Sequence, residues 1–356
     1  MKESQKNYKR IVVKIGSSLF SSEKGGLNTA LFTSIAGEII SLINSGSEVV
    51  VVSSGAIALG MRVLGLNSRP RELAYLQAAA AIGQNALMDN YSAAFRKNNL
   101  ICAQVLLTWD DLDDRKRYLN AKNTLLTLLK LKSVPVINEN DTVSTNEIKF
   151  GDNDQLSARV ASLVSADLLI ILSDVDGLLD KDKKVIPVID EITSKVKSLA
   201  CPTSKQSCVG GMITKIEAAK IAMDSGIPCV IANGRVSNII FETVRNLGST
   251  GTLFLSRKGY LAEKKRWIAF GAKSKGKIVV DEGAKNALLR KKSLLSVGVT
   301  GMEGNFDSGD IVSVVDKQGN EFARGKTVLS AKQLDKVKGI RTDKEVIHCD
   351  NIVILK

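Results

Sequence analysis

Short apolar runs alternate with longer stretches of helical periodicity along the first 255 residues of the chain. Arg10–Ile15 has the composition of a buried strand, and apolar residues then recur at helical spacing from Leu31 to Ile43, before Gly46. The alternation continues through predicted strands at 48–52, 100–106, 134–138, 168–172 and 227–232 and predicted helices at 72–96, 117–131, 157–165 and 214–224. This pattern predicts an α/β domain with a mainly parallel sheet between two layers of helices.

The pattern changes after residue 255. A polar, basic stretch is followed by short strand-like runs at 277–280, 311–315, 321–324 and 352–355, with one helical piece at 282–290. Glycine and aspartate turns separate these runs, which is typical of a small β-rich module. The sequence therefore predicts three segments: a larger domain over 1–257, a linker over 258–275 and a β-rich domain over 276–356.

Composition restricts the kinds of protein and of site that remain. The chain has 356 residues, of which 44% are hydrophobic and 24% charged, as in ordinary globular proteins. No apolar run approaches the ~18 residues of a membrane span, so no membrane association is expected. Five cysteines without a CxxC pair indicate a reducing, cytoplasmic setting. The single histidine, His348, argues against a Ser-His-Asp triad or a histidine-based zinc site.

The net charge of +13 is unevenly distributed along the chain. Residues 264–356 hold 19 basic and 11 acidic side chains, which leaves them at +8. A basic module of this kind is typical of nucleic-acid binding, although excess lysine also increases solubility. Aromatic residues make up only 4% of the chain, which is low for surfaces that stack bases. RNA binding by the C-terminal module therefore remains the alternative function from a different class.

Two glycine segments have the character of phosphate-binding loops. Lys14 interrupts an apolar strand just before Gly16, so its charge and the following backbone N–H groups can hold a phosphate. The segment 210–215, GGMITK, is a second glycine loop that opens a predicted helix. Taken singly, a lysine at an edge strand and an ordinary loop-to-helix turn explain them equally well. Neither segment identifies a site by itself.

Polar segments also follow other strands of the predicted sheet. Asn138–Asp141 follows one buried strand, Ser173-Asp174 follows another, and Gly151–Asp154 opens a helix. Such residues are often turn formers or helix N-caps. Ligands of parallel sheets bind beyond the carboxyl ends of the strands, where these segments are expected to lie. Their combination with two glycine–lysine segments favours a binding site.

In their order and spacing these segments resemble the amino acid kinase family, and within it the branch that phosphorylates L-glutamate. The resemblance covers nearly the whole chain, and the segments VINEND and FGDND carry most of its specificity. The motifs of the larger domain are VVKIGSS (12–18), SSGAIALG (53–60), LLTWDDLDDRKRYLNAKNTL (106–125), PVINENDTV (135–143), IKFGDNDQLSA (148–158), ILSDVDGL (171–178), GGMITK (210–215) and GTLF (251–254). The C-terminal segments KRWIAFG (265–271), VDEGA (280–284), GVTGMEGNFDSGDIV (298–312) and EFARG (321–325) are similar to a PUA domain, a small β-rich pseudobarrel.

The resemblance implies ATP-dependent phosphorylation of the γ-carboxylate of L-glutamate, the first step of proline synthesis, with Mg²⁺ bridging the phosphates. A carboxylate with a pKa near ~4.3 is ionised at pH 7, so this reaction needs no general base. The obstacle is an anion attacking an anion, which requires positive charge and in-line placement. The resemblance assigns catalysis to Lys14 and Lys215, held in place by Asp154.

The resemblance also implies the binding residues. Ser54, Asp141 and Asn153 are expected to hold glutamate, Asp141 through its ammonium group and the other two through carboxylate oxygens, with Asp152 beside them. The nucleotide is expected to contact Lys14, Ser173, Asp174, Val209, Gly210, Gly211, Met212, Ile213, Thr214 and Lys215. Cys208-Val209 stands where this family usually has Gly-Thr, and Ile213 replaces a residue that is commonly polar. No residue is assigned as a protein ligand of a metal.

Partners follow from the resemblance alone. L-proline is the expected feedback inhibitor, and glutamyl-phosphate reductase is the enzyme expected to receive the acyl phosphate. The family favours dimers or tetramers, so a homo-oligomer is expected. Acetylglutamate kinase and aspartokinase are the rivals within the family, and VINEND and the C-terminal module argue against both.

Overall fold

The computed structural model describes residues 8–20, 28–143, 153–200, 211–256, 263–341 and 345–355. The chain divides into two compact units, Met1–Leu112 with Lys116–Gly259, and Asp113–Arg115 with Tyr260–Lys356. Each unit has its own cluster of buried apolar side chains. Within the described ranges, no helix combines the length and the apolar character needed to cross a bilayer.

The first unit is built on a sheet that has eight strands among the described residues. Its order is β3-β4-β2-β1-β5-β7-β8-β6. The strands are β1 (Arg10–Ile15), β2 (Glu48–Ser53), β3 (Ile101–Leu107), β4 (Ser133–Glu139), β5 (Leu168–Ser173), β6 (Val188–Ile189), β7 (Cys229–Asn233) and β8 (Thr252–Phe254). The six strands from β3 to β7 in this order are parallel, and β8 then runs antiparallel to β7. The predicted mainly parallel sheet is therefore confirmed.

Helices connect these strands. They are α1 (Thr29–Asn44), α2 (Ala56–Val63), α3 (Leu73–Arg96), α4 (Trp109–Asp113), α5 (Arg115–Lys130), α6 (Asn153–Val164), α7 (Ser194–Leu199), α8 (Met212–Asp224) and α9 (Ile239–Arg245). The periodicity predicted α1, α3, α5, α6 and α8 but not α2, α4, α7 or α9. The missed helices have at most eight residues, so each offers too few turns for a periodic signal.

Two glycines allow α2 and α3 to cross in close contact. A Cβ atom on Gly60 would lie 1.7 Å from the carbonyl oxygen of Ala79, and one on Gly83 would lie 1.8 Å from the carbonyl oxygen of Ala56. No side chain larger than hydrogen fits at either position without moving a helix backbone. This crossing fixes the N-terminus of α2 relative to the middle of α3.

The second unit contains a five-stranded sheet of order β11-β9-β12-β13-β15 and a two-stranded sheet, β10-β14, among its described residues. The predicted β-rich character is therefore confirmed. Residues 263–271, within the range predicted as a linker, are helical: α10 (Glu263–Arg266) is followed by a π-helical segment (Trp267–Gly271). The other elements are β9 (Gly276–Val280), α11 (Glu282–Leu289), β10 (Leu294–Leu295), β11 (Val299–Gly304), β12 (Ile311–Val315), β13 (Glu321–Lys326), α12 (Ala331–Val337), β14 (Glu345–Ile347) and β15 (Ile352–Ile354).

Candidate active site

A buried carboxylate between two lysines lies at the carboxyl edge of the parallel sheet. Lys14, Asp154 and Lys215 are 5%, 1% and 8% exposed. Lys14 Nζ pairs with Asp154 Oδ1, and Lys215 Nζ donates to Asp154 Oδ2 at 2.9 Å. The three residues predicted to act together therefore lie in direct contact, although they are far apart along the chain.

The local structure explains how each of these side chains is placed. Lys14 is the penultimate residue of β1, the strand that pairs with both β2 and β5. Asp154 is in the first turn of α6, where a carboxylate is favoured by the helix dipole. Lys215 is in the first turn of α8 and also donates to the carbonyl oxygen of Gly211 at 3.3 Å. The end of β1 and the first turns of α6 and α8 thus meet at one point.

The two lysines keep Asp154 ionised. Burial acts to raise the pKa of Asp154, but the charges and hydrogen bonds of Lys14 and Lys215 outweigh it and hold the pKa below its usual value. A buried carboxylate with two cationic partners holds both ammonium groups at fixed positions. The lysines can therefore present positive charge to phosphate oxygens without reorganising.

A pocket opens beside this triad. Its volume is about 530 Å³ with the open mouth included. The lining residues are Ser17, Ser54, Gly55, Ala56, Ile57, Ala58, Arg69, Asn138, Glu139, Asp141 and Asn153. Asn153 is adjacent to Asp154 in α6, so the pocket and the triad share one helix start.

A chain of amide hydrogen bonds fixes the wall of this pocket. Asn153 Nδ2 donates to the carbonyl oxygen of Ser53 at 2.5 Å and to Asn138 Oδ1 at 2.7 Å. Asn138 Oδ1 also accepts from the backbone N–H of Glu139 at 2.9 Å, and Asn138 Nδ2 donates to Gln84 Oε1 at 2.8 Å. The backbone carbonyl of Ser53 can only accept and the backbone N–H of Glu139 can only donate. The orientation of each side-chain amide in this series of hydrogen bonds is therefore determined.

This arrangement changes the role expected for Asn153. Both hydrogens of its side-chain amide are already used, so no donor of that amide is left for a carboxylate of the substrate. Its Oδ1 atom accepts no hydrogen bond from the described residues, and an oxygen accepts hydrogen bonds from groups such as ammonium. Asn153 lines the pocket, and the acceptor oxygen that it offers suits an ammonium group better than the carboxylate expected from the resemblance.

Ser54 and the start of α2 provide the donors that Asn153 does not. Ser54 Oγ is buried, lines the pocket and has no hydrogen-bond partner within the described part of the chain. Gly55 adopts φ +102° at the N-cap of α2, and the first helical residues, from Ala56 to Ala58, also line the pocket. The N–H groups of a first helical turn lack partners in the helix and bind anions. This end of the pocket suits a carboxylate.

Asp141 also lines the pocket and contributes a carboxylate to it. Burial raises the pKa of Asp141 to about 6, against the opposing effect of the positive charge of Arg69. A carboxylate that is ionised at pH 7 but poorly solvated gains from an ammonium partner. Asp141 thus offers an ionised carboxylate to a cationic group, and its role in binding ammonium stays a prediction.

The residues predicted to contact a nucleotide lie at the ends of β5 and α8. Ser173 Oγ donates to Asp174 Oδ1 at 3.1 Å. Burial acts to raise the pKa of Asp174, but hydrogen bonds from its own N–H and from the hydroxyls of Ser173 and Ser18, with the charge of Lys215, lower it overall. Asp174 is thus an ionised carboxylate that interacts with Lys215 of the triad.

The N-terminus of α8 completes this side. Gly211 is its N-cap, with φ +88°, a conformation that favours glycine. Met212 and Ile213 begin the helix, and Thr214 Oγ1 donates to the carbonyl oxygen of Gly211 at 2.9 Å. Of the predicted site residues, Asp152, Val209 and Gly210 lie outside the described residues.

Sequence reasoning did not select Gln84 or Arg69 as site residues. Gln84 is a buried polar residue on the apolar face of α3, directly after Gly83. A lone polar residue on a buried helical face was the available signal, because such groups need partners. Arg69 lies in a polar segment between α2 and α3 that has no distinguishing pattern.

Comparisons with known proteins identify the family of this chain. A model of the amino acid kinase family matches residues 9–233, and a model of the PUA domain matches residues 276–348. The chain belongs to the amino acid kinase family. This amino acid kinase is 47% identical to the glutamate 5-kinase of Caldanaerobacter subterraneus subsp. tengcongensis and 43% identical to that of Dictyoglomus turgidum, in both cases over 98% of each chain.

A solved structure also resembles this amino acid kinase. It is the N-acetylglutamate synthase of Neisseria gonorrhoeae in complex with coenzyme A and N-acetyl-glutamate, with a TM-score of 0.52 and 16% sequence identity. The match covers 70% of this chain and 60% of the synthase chain. At this identity the likeness supports the fold alone.

Proposed function

We propose that this protein is a glutamate 5-kinase, which transfers the γ-phosphoryl group of ATP to the γ-carboxylate of L-glutamate in the first step of proline synthesis. The observation that carries the proposal is the adjacency of Asn153 and Asp154. One lines a pocket with an ammonium-binding carboxylate, and the other holds two lysines suited to a transferring phosphoryl group. The names of the full-length relatives agree with this activity.

The register of the sheet supports one orientation of glutamate. Ile15, directly after Lys14, pairs with Ser53, and the N–H of Ser54 donates to the carbonyl oxygen of Ile15 at 3.2 Å. The carboxylate-binding end of the pocket, at Ser54, is therefore the end next to Lys14. Glutamate would place its γ-carboxylate there and its ammonium group at Asp141.

The reaction then depends on positioning and charge. The γ-carboxylate is already ionised at neutral pH, so no residue has to remove a proton from it. Lys14 would offset the charge that accumulates between the carboxylate and the phosphoryl group, and Lys215 would do so on the nucleotide side. Asp154 would act through the lysines, by fixing their Nζ atoms.

Magnesium fits this site as an ion carried by the nucleotide. Both oxygens of Asp154 already pair with lysines, which leaves that carboxylate unsuited to a metal. Asp174 is ionised and lies near Lys215, on the side predicted for ATP. Mg²⁺ prefers phosphate oxygens and one or two carboxylates, so phosphates with Asp174 nearby are the oxygens available to it. When bound, it would neutralise phosphate charge.

The remaining partners follow from the same proposal. L-proline shares an α-carboxylate and a cationic amine with glutamate, so feedback inhibition would act by competition at Asp141. The acyl phosphate would pass to glutamyl-phosphate reductase, and the kinase would assemble as a homo-oligomer. We place the reaction in the cytoplasm, in keeping with the free cysteines Cys102, Cys229 and Cys349.

The test is ATP turnover with Mg²⁺ while hydroxylamine traps the acyl phosphate, for L-glutamate, N-acetylglutamate and aspartate in parallel. Hydroxamate from glutamate alone is expected, because an acetyl group removes the charge that Asp141 binds and aspartate is one methylene shorter. Product from N-acetylglutamate at a comparable rate would contradict the role of Asp141. No product from any of the three would overturn the kinase proposal and favour RNA binding by the C-terminal unit.

A further inference from the structure

Arg69 lies in the segment between α2 and α3 and lines the pocket that contains Asp141. Among the described residues that form this lining, Arg69 alone carries a positive charge, whereas Glu139 and Asp141 carry carboxylates. Its guanidinium acts electrostatically on the carboxyl group of Asp141. Arg69 and Arg71, two residues apart in the same segment, are both exposed, but Arg71 is not part of the lining.

The chemistry of an α-amino acid requires two adjacent charged partners. Its ammonium and α-carboxylate groups are attached to the same carbon, so the side chains that bind them must be neighbours of opposite sign. Asp141 and Arg69 form such a pair in this pocket. Arginine also suits a carboxylate better than lysine does, because its planar guanidinium can donate two parallel hydrogen bonds.

The other carboxylate-binding position is already explained. Ser54 and the first turn of α2 lie next to Lys14 and therefore suit the γ-carboxylate that is phosphorylated. The α-carboxylate needs a separate partner at the end of the pocket where the ammonium group binds. Arg69 and Asp141 both line this pocket, and the positive charge of Arg69 acts on the carboxyl group of Asp141.

We propose that Arg69 is a specificity-determining residue, which binds the α-carboxylate of the substrate beside the ammonium group that Asp141 binds. This inference rests on the proposed glutamate kinase activity. The pocket would then recognise both charged groups at the zwitterionic end of an amino acid, the ammonium and the α-carboxylate. Acids that lack an α-carboxylate would lose the contribution of Arg69 even when they carry an ammonium group and a γ-carboxylate.

The test compares L-glutamate with L-isoglutamine, in which a neutral amide replaces the α-carboxylate and the other groups are unchanged. Wild type, Arg69→Met, Arg69→Lys and the control Arg71→Met are assayed by hydroxamate formation at pH 8, where Asp141 stays ionised after the loss of Arg69. The KM for glutamate is measured directly. For isoglutamine, the inhibition constant against glutamate is measured, so turnover of the analogue is not required.

We expect Arg69→Met to raise the KM for glutamate at least tenfold, with kcat within threefold of wild type. The inhibition constant of isoglutamine should stay within twofold of its wild-type value. Arg69→Lys should recover part of the loss, and Arg71→Met should behave as wild type. An unchanged KM for glutamate in Arg69→Met would overturn the inference. An equal loss for both compounds would also overturn it, because Arg69 would then act on the pocket as a whole.

Failure of the proposed function would look different. If wild type forms no hydroxamate from glutamate, the kinase proposal fails before any variant is compared. If wild type is active and Arg69→Met has an unchanged KM, the kinase proposal stands and only the role of Arg69 is rejected.

Discussion

Gln84 Oε1 accepts a hydrogen bond from Asn138 Nδ2 at 2.8 Å and thereby helps to hold the Asn138 amide in place. Asn138 in turn accepts from Asn153 in the wall of the pocket. Helix α3 thus acts on the substrate site without lining it. The close glycine crossing of α2 and α3 brings Gln84 to this position.

Replacing Gln84 should therefore affect substrate binding more than the chemical step. Gln84→Leu leaves the Asn138 Nδ2 group buried without an acceptor, which costs about 1–3 kcal/mol of unfolding free energy and releases the amide chain. We expect a KM for glutamate that is three- to tenfold higher, with kcat changed less than the KM. Steady-state kinetics and thermal unfolding measure both effects.

Gln84→Glu provides the matched comparison, because a carboxyl group still offers an oxygen to Asn138. Its KM should lie nearer to wild type than that of Gln84→Leu. A Gln84→Leu enzyme with the wild-type KM would show that Asn153 keeps its orientation without this chain.

The lysines around Asp154 should control the rate. Removing one preorganised donor costs about 10²–10³ in kcat for comparable sites, so Lys14→Ala and Lys215→Ala should each lower kcat at least a hundredfold. The KM for glutamate should change by less than the rate. Lys220→Ala is the control, since Lys220 is on the same helix as Lys215 but pairs with Asp224 at the surface. A Lys14→Ala rate within tenfold of wild type would exclude a role in phosphoryl transfer.

The pKa of Asp141 predicts the acid limb of the pH profile. Burial raises this pKa to about 6, so the carboxyl group becomes neutral below that pH and loses its attraction for ammonium. We expect kcat/KM for glutamate to fall with an apparent pKa of about 6. The pKa of Asp154 is lowered, so Asp154 stays charged over this range. If the same fall in kcat/KM at low pH persists in Asp141→Asn, another group must be the one that titrates.

The same shift has a consequence for stability. The folded state binds a proton at Asp141 more tightly than the unfolded state does, so the ionised carboxyl group destabilises the fold above its folded pKa. At pH 8, Asp141→Asn should therefore have an unfolding free energy that is higher than that of wild type by about 1 kcal/mol or more. Its unfolding temperature should be higher as well. The difference should shrink as the pH falls toward 4, and an advantage that is constant with pH would contradict this origin.

The helix crossing gives a prediction about folding. Gly60→Ala would place a methyl group 1.7 Å from the Ala79 carbonyl oxygen, so α2 and α3 must separate. We expect a loss of about 3 kcal/mol or more in unfolding free energy, because overpacking here moves backbone. Gly37→Ala is the control, since a Cβ there meets nothing within 4 Å in the exposed part of α1. It should gain about 0.5–1 kcal/mol from better helix propensity.

Hydrophobic periodicity by itself determined the main architecture of the protein. A strand with a continuous apolar run has side chains to bury on both of its faces, so runs of this kind predict a parallel sheet covered by helices on both sides. Every residue of Leu168–Ser173 is buried in the structure. A rule of position adds to this: polar residues that follow the strands of a parallel sheet meet at one edge. The resemblance to the amino acid kinase family then selected Lys14, Asp154 and Lys215 together.

Tertiary structure alone decided the finer assignments. The donors of Asn153 are consumed by Ser53 and Asn138, contacts between residues up to 100 positions apart that no local pattern encodes. Gln84 directly follows Gly83, one of the two glycines at which α2 and α3 cross, and that contact depends on the shapes of two helices. Sequence fixes which groups are present, whereas burial and the three-dimensional course of the backbone decide which hydrogen bonds and charges remain for a substrate.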